Sequence, residues 1–518
     1  MNQDGASTSS ATQKRSGGDL RAIFVHAGAG YHSRKNEHVH LQACANACRM
    51  AMAFLNDGAT AVDAVEVAIQ TLENDEVTNA GYGSNLAMDG TVEGDATVVD
   101  HLGRSGAVGA ITGVLNPIHV ARLVLEESTK PLSLSRVPPN LLVSQGAQDY
   151  AFVHNIPILT NDYLVSPAAK ERWLKWSQDL QAATQQKRSY FGFRKVAPLG
   201  NEGQHQTPPP ASTPHPPLVS SLVNRQPTDI DSDVRANPLQ SNREFAQQMM
   251  TTDFSKKWNQ QLAIPEMKDS AFGGSITDTV GAIAVDIYGN ISAGSSSGGI
   301  GMKYRGRVGP AALVGVGSAV IPMNSADRDG TCTASVCSGT GEHMATTMAA
   351  NTSASRVHYC QTTRIDGSIH EAHEQEALTN FIKIEFLKHP SVAASNSTGA
   401  IGIMSAKKTN DGIHLYWAHN TESFALGSMT SKDPEPHVVM SRASPRFPGT
   451  SHSSNQCTSG GRSMRASGPG GPKYHLAKRQ KRVDLAPGDT IPYTLKPQLP
   501  VPMDFASEGL METDGAFL

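Results

Sequence analysis

Long apolar runs are missing from this sequence. No stretch of about 18 apolar residues occurs, so no membrane-spanning helix is expected. Residues 1–19 are polar and lack the apolar segment of a secretory leader, so none is expected there. A surplus of one charge is missing too: 44 Lys and Arg stand against 47 Asp and Glu, for a net charge of −3. That balance excludes a broadly basic nucleic-acid coat and a strongly acidic tail protein. Charged residues (18%), hydrophobic residues (38%) and aromatics (6%) are all scarce over 518 residues, whereas Gly (47) and Pro (30) are plentiful. This is the composition of an ordered core joined to long disordered segments. Cysteine is sparse, with six residues at 44, 48, 332, 337, 360 and 457. None forms a CxxC pair, and Cys44 and Cys48 share a helical face too far apart for easy disulfide geometry. No zinc site is expected, and a reducing, cytoplasmic and/or nuclear location is.

What is present falls into two ordered blocks, 20–165 and 279–443. Leu20–His26 reads as a buried strand ending in the turn Ala27-Gly-Ala-Gly30. A helix over 37–56 is closed by Gly58, and a second opens with Thr60 as N-cap and Asp63 three residues on. A Gly/Asn-rich loop over 78–85 leads to small-residue strands at 94–100 and 106–113, then to a helix from Asn116-Pro117 and another near Gln145. In the second block, Thr279–Asp286 and Ile291–Ser296 read as strands around a Gly-Asn turn. Ala311–Gly317 reads as a strand, 341–350 and 371–388 as helices, and 399–404 with 412–418 as a final hairpin. Residues 166–278 have the texture of a flexible linker, and 197–240 alone hold nine of the 30 prolines. The segment 168–195 has room for one exposed helix. Residues 1–19 and 444–518 are expected to be disordered tails.

The linker ends abruptly at Asp278-Thr279-Val-Gly. One reading is a surface loop entering a strand, since Thr and Val are ordinary strand residues. The other is that the Asp278–Thr279 bond is cut. Thr279 then carries a hydroxyl nucleophile and, in its α-amine of pKa about 7.7–8.0, a base poised near working pH. Acyl transfer also needs an oxyanion hole and substrate anchors. The candidates are Ser295-Ser-Ser-Gly-Gly299, Gly306-Arg-Val-Gly309 and Ser338-Gly-Thr-Gly-Glu342. Each is an ordinary turn when taken alone. An Arg suits a bidentate carboxylate clamp.

Together, in that order and at near-family spacing, these stretches resemble the N-terminal-nucleophile hydrolases of the type 2 asparaginase group. Within that group the threonine aspartase branch is the most similar. Val25–Ser33, Thr78–Leu86, Arg136–Pro139 and His419–Ser423 add to the resemblance, which covers both ordered blocks. It implies an α+β fold, a four-layer αββα sandwich with a long disordered insertion and disordered termini. It implies a precursor that cuts itself before Thr279 into associated α and β segments, which commonly dimerise as αβ units. By the same resemblance Thr279 is the nucleophile and Ser297 its hydrogen-bonding hydroxyl. Arg307 anchors the substrate carboxylate, and Ser338 and Gly339 form the oxyanion hole. Gly28 faces the processing site, Asn79 lines the pocket, and Lys35 stands near a helpful Lys of threonine aspartases. No metal or organic cofactor is implied.

Small-molecule asparaginases carry an Asp after Gly-Arg-Val-Gly that holds the free amine of the substrate; here the residue is Pro310. Ser297 and Ser338 stand where they have Thr. These departures favour an endopeptidase that cuts protein substrates after an internal Asp, in this family nuclear regulators. An asparaginase or isoaspartyl peptidase, and a silent scaffold, are the alternatives. The basic cluster at 478–482 reads either as an import signal or as a solvated charge run, and no direct nucleic-acid binding is expected. His26 and His343 are read as structural.

Overall fold

The computed structural model describes residues 20–192, 279–443 and 457–465. Asp278, most of the expected linker and the basic cluster lie outside the described residues. In chain order the strands are β1 (Ala22–Gly30), β2 (Gly94–Val99), β3 (Ser105–Ile111), β4 (Leu141–Val143), β5 (Val280–Val285), β6 (Ile291–Ser297), β7 (Ser318–Ile321), β8 (Cys332–Gly339), β9 (Gln361–Thr363), β10 (Ile369–Glu371), β11 (Ile401–Thr409), β12 (Gly412–His419), β13 (Ser423–Thr430), β14 (His437–Arg442) and β15 (Thr458–Arg465). The helices are α1 (Glu37–Asn56), α2 (Ala61–Glu73), α3 (Pro117–Glu127), α4 (Ser144–Val153), α5 (Asn161–Leu164), α6 (Pro167–Gly192), α7 (Gly341–Thr346), α8 (Ala349–His358), α9 (Glu374–Asn380) and α10 (Pro390–Ala393).

Eight strands form one sheet in the order β14-β13-β1-β5-β6-β2-β3-β4, and five form another, β15-β12-β11-β8-β7. Alternation along the strands sorts their side chains. Val280, Ala282 and Ala284 of β5 join Ala96 and Val98 of β2 in a core against α1, α2 and α3. Ile283 and Val285 point the other way and pack, with Ala293 and Val99, against Ala334 and Val336 of β8. The far face of the smaller sheet buries Cys337, Ile401 and Ile403 under α8 and α9. Helices, large sheet, small sheet and helices thus follow one another. Strands buried on both faces explain the short, Ala- and Val-rich runs.

The local signals around α1 and α2 act as expected. Gly58 takes φ +92° just past α1. Thr60 and Asp63 form a reciprocal capping box at the start of α2.

Four expectations are corrected. The first strand does not end in a turn at Ala27: β1 runs on through Gly30, with an irregularity between His26 and Ala29. Ala311–Gly317 is not a strand. Pro310–Ala312 makes a 3₁₀ turn, Gly315 turns the chain at φ +83°, and pairing starts only at Ser318. Proline at the head of the segment favours the helical turn and offers no N–H to a ladder. The stretch read as linker from 166 begins with a packed helix, α6. Its Trp173 Nε1–H donates to the Ala87 carbonyl (3.0 Å), Arg172 donates to the Gly83 carbonyl (3.0 Å), and Ala169 is buried. Residues 458–465, placed in the disordered tail, pair antiparallel with β12 as an edge strand. Their Gly and Ser content hid them. Gly460 is required there, because a Cβ would lie 2.3 Å from the Trp417 ring. Among the described residues no helix is long and apolar enough to cross a membrane.

Candidate active site

Thr279 immediately precedes β5 and is 4% exposed. The pleat that sends Ile283 and Val285 between the sheets sends Gly281 and Thr279 the same way. Val280 pairs with Ser296 and Ala27 with Val280, so the same register brings Ser297 and Gly28 alongside Thr279. Asp95 pairs directly with Ser297. Gly28, Thr279, Ser297 and Asp95 therefore form a row across four neighbouring strands. Gly28 lies in a bulge of β1 at φ +105°, a conformation glycine adopts without strain.

Arg307 reaches this row from the loop after β6. Its Nη1 lies 3.0 Å from the point where a Cβ on Gly299 would sit and 2.7 Å from the same point on Gly309. Its Nε and Nη2 both donate to Glu342 Oε1, at 3.1 and 2.9 Å. The guanidinium is 15% exposed and Glu342 63%. Burial would raise the Glu342 carboxyl, but the charge and hydrogen bonds of Arg307 hold it below the usual range.

The other predicted residues are placed as follows. Asn79 Nδ2 donates to the Gly299 carbonyl (2.8 Å), its Oδ1 accepts from Asn85 N–H (2.8 Å), and its carbonyl accepts from Gly298 N–H (2.8 Å). It pins the turn that follows Ser297, whose Oγ accepts from Gly299 N–H (3.0 Å). Ser338 and Gly339 end β8 in the opposing sheet, and Ser338 Oγ accepts from Ala29 N–H (3.1 Å) beside the bulge. Lys35 is exposed in the turn before α1, and among the described residues it makes no hydrogen bond or ion pair. Asp278 lies outside the described residues. His26 pairs with Gly281, where a Cβ would lie 2.4 Å from its Nε2. Burial pushes its pKa down to about 3, against a smaller opposing pull from the Thr279 backbone. The ring is a neutral spacer under the row. His343 is buried against Phe386, ring centroids 6.4 Å apart.

Sequence reading missed three buried ionisable side chains. Asp95 Oδ1 accepts from Ala110 N–H (2.8 Å) and Oδ2 from Gly309 N–H (2.7 Å). Burial raises its pKa, and the charges of Lys303 and Arg307 oppose the rise. Lys303 is 2% exposed and donates to the Glu93 carbonyl (2.8 Å), with Nζ 3.3 Å from the Gly299 Cβ position. Burial lowers its pKa while Asp95 and Glu93 hold it up. Glu73 lies on the helix side of β6. It accepts from Ser296 Oγ–H (2.6 Å), Ile118 N–H and Asn116 Nδ2–H (both 3.1 Å), and burial pushes its pKa up to about 8. Polar residues at strand ends beside a proposed nucleophile were the available signal, but their partners lie far away in sequence.

The arrangement holds a hydroxyl on a strand end, a second hydroxyl beside it, and a guanidinium in the loop that follows the second. The six cysteines are unpaired, and burial pushes the Cys44 and Cys337 thiols up to about 12, far from a reactive thiolate. Among the described residues no group of His, Cys, Asp or Glu is placed to hold a metal ion.

Comparison with known proteins joins this geometry to a family. The asparaginase family matches residues 20–207 and 221–416. An isoaspartyl peptidase of Salmonella typhimurium is 28% identical over 343 residues, 65% of this chain and 79% of its own. A probable isoaspartyl peptidase/L-asparaginase 2 of Arabidopsis thaliana is 28% identical over 301 residues, 57% of this chain and 71% of its own. The human isoaspartyl peptidase/L-asparaginase is 39% identical over 153 residues, 29% of this chain. For that relative the match spans less than half of its length, 46%.

Proposed function

The chain belongs to the asparaginase family of N-terminal-nucleophile hydrolases, and from that membership we propose that it is a threonine endopeptidase cleaving after Asp. In this reading the layers are the αββα sandwich of that superfamily, and the chain is made as a precursor. Thr279 Oγ attacks the carbonyl of residue 278 and forms an ester as the peptide C–N bond breaks. Water hydrolyses the ester and leaves Thr279 with a free α-amine. That amine then takes the hydroxyl proton when Thr279 attacks the Asp carbonyl of a substrate, and passes it to the departing amine as the substrate C–N bond breaks and the acyl-enzyme forms. Arg307 holds the side-chain carboxylate, and Ser338 with Gly339 steadies the oxyanion. The acyl-enzyme is hydrolysed by water in turn.

One observation carries the choice of endopeptidase. The residue after Gly-Arg-Val-Gly is Pro310, and its ring lies 2.6 Å from the Cβ position of Gly341, against the clamp. It offers no carboxylate to a substrate amine, which suits an Asp inside a polypeptide. The names of the relatives favour a second reading, an asparaginase or isoaspartyl peptidase. Incubation of matured protein with an N-acetylated Asp-containing peptide and, separately, with asparagine tells them apart. Peptide cleavage after Asp without ammonia release is expected. Ammonia from asparagine with an intact peptide overturns the endopeptidase reading.

A further inference from the structure

We propose that Asp95 is a positioning residue that ties the Arg307 clamp to the nucleophile row and so sets the length of the carboxylate side chain the enzyme accepts. The proposal rests on the acyl-transfer reading above and deepens it.

The geometry is a short mechanical path. Asp95 pairs with Ser297, and Ser297 stands beside Thr279, so Asp95 is fixed to the nucleophile by two ladders of one sheet. Side chains along such a row share a face. Its Oδ2 grips the N–H of Gly309, two residues past Arg307, at 2.7 Å. The Cβ position of Gly309 lies 2.7 Å from Arg307 Nη1 and 3.0 Å from Asp95 Oδ2. The carboxylate and the guanidinium therefore both pack against the one glycine.

The second oxygen, Oδ1, is held by the N–H of Ala110, a non-glycine residue at φ +46°. That bond anchors Asp95 from the β3 side, so both oxygens are fixed. Lys303, 2% exposed, supplies the nearby buried positive charge. Its Nζ and Arg307 Nη1 lie 3.3 and 3.0 Å from one point beside Gly299, in the turn that follows Ser297. An unpaired carboxylate could not be kept in this place. Glu342 holds the Nε and Nη2 edge of the clamp from the exposed side. Asp95 is thus the inner stop and Glu342 the outer one. Of these two carboxylates only Asp95 belongs to the same sheet as the nucleophile, and Glu93, one residue before β2, grips the N–H of Gly306 on the other side of Arg307, so this end of β2 sets the distance from Thr279 to the clamp.

Such a ruler discriminates Asp from Glu, which differ by one methylene. Misplacing a clamp by about an ångström costs up to a hundredfold in rate.

The test is the ratio of kcat/KM for two N-acetylated peptides that differ only in Asp or Glu before the cut, measured on wild type, Asp95→Asn and Lys303→Gln. Asp95→Asn is expected to lower the Asp-over-Glu ratio at least about tenfold, with most of the change in KM for the Asp peptide. Lys303→Gln keeps both backbone bonds and is expected to move the ratio the same way by less. The ratio does not depend on how much protein folds, so a purely structural role lowers yield and Tm and leaves it alone. Ratios within twofold of wild type in both variants overturn the proposal. So does failure of both to fold, which assigns Asp95 to the scaffold. If wild type releases ammonia instead of cutting peptides, the endopeptidase reading fails, and the same ratio is taken between asparagine and glutamine. In a chain with no turnover it is taken between the affinities for aspartate and glutamate by calorimetry.

Discussion

Ser296 and Ser297 are neighbours at the end of one strand, yet they belong to opposite faces of the large sheet and to different chemistry. Ser296 faces the helices and donates to Glu73, a carboxyl group with no cation beside it among the described residues. Ser297 faces the second sheet, in a row with Thr279 and with Asp95, a carboxylate that feels Lys303 and Arg307. The first pocket is closed and satisfied by three neutral donors. The second opens at a sheet end onto two glycines and a guanidinium. The same residue types, one position apart, meet different surroundings according to the pleat and to the charges that the loop after β6 delivers. Burial raises a carboxyl in both places; only on the Asp95 side do cations oppose it.

The comparison can be broken by exchanging the roles of the two serines. Ser297→Ala is expected to slow turnover roughly a hundredfold to a thousandfold, the usual cost of a hydroxyl or donor acting on the reacting atoms. Ser296→Ala is expected to leave kcat within a few-fold of wild type and to cost about 1 kcal/mol of stability, read from denaturant midpoints. Equal kinetic losses in the two variants would dissolve the distinction.

A second break comes from the clamp. Arg307→Ala removes charge-assisted hydrogen bonds worth roughly 1.5–3 kcal/mol. It is expected to raise KM for an Asp peptide by about ten- to a hundredfold with a smaller change in kcat, in steady-state assays.

Acidity sharpens the contrast between the two carboxylates. Glu73 has a folded pKa of about 8 against 4.5 for the free side chain. The folded state therefore holds the proton more tightly, and its stability falls as pH rises from about 5 to about 8. Glu73→Gln removes this loss, so its Tm relative to wild type should rise across that window. A constant difference between pH 5 and pH 8 would contradict the assignment. His26 acts in the opposite sense: its pKa falls from 6.5 to about 3, so stability is lost as pH drops below 6.5.

The smallest effect belongs to Glu342. It is 63% exposed, so the water-screened pair with Arg307 contributes little to stability. Glu342→Gln is expected to change Tm by no more than about a degree and KM by only a few-fold.

Much of the frame was legible before any coordinates. The small-residue apolar runs in Thr279–Asp286 and Ile291–Ser296 around a Gly-Asn turn mark both central strands, and the capping pair Thr60 and Asp63 marks α2. Thr279, Ser297, Arg307 and Ser338 follow from the family resemblance that short Gly-flanked motifs carry. Lys35 rests on the resemblance alone, and it stands exposed in the turn before α1. What stayed hidden was set by pairing over long separations. Asp95 becomes a neighbour of Gly309 only once β2 lies beside β6, 214 residues away along the chain for that bond. Ala311–Gly317 looked like a strand because small apolar residues fit a strand and a tight turn equally well. Residues 458–465 looked disordered because an edge strand of glycine and serine carries little hydrophobic pattern.

The central claim is that Thr279 becomes a chain end and acts as the nucleophile. Intact mass of purified wild-type protein, beside Thr279→Ala after prolonged incubation, tests it most directly. The account predicts two wild-type fragments with the break between residues 278 and 279, and a single uncut chain for the variant. A wild-type chain that stays whole, or a variant cut at the same bond, contradicts it.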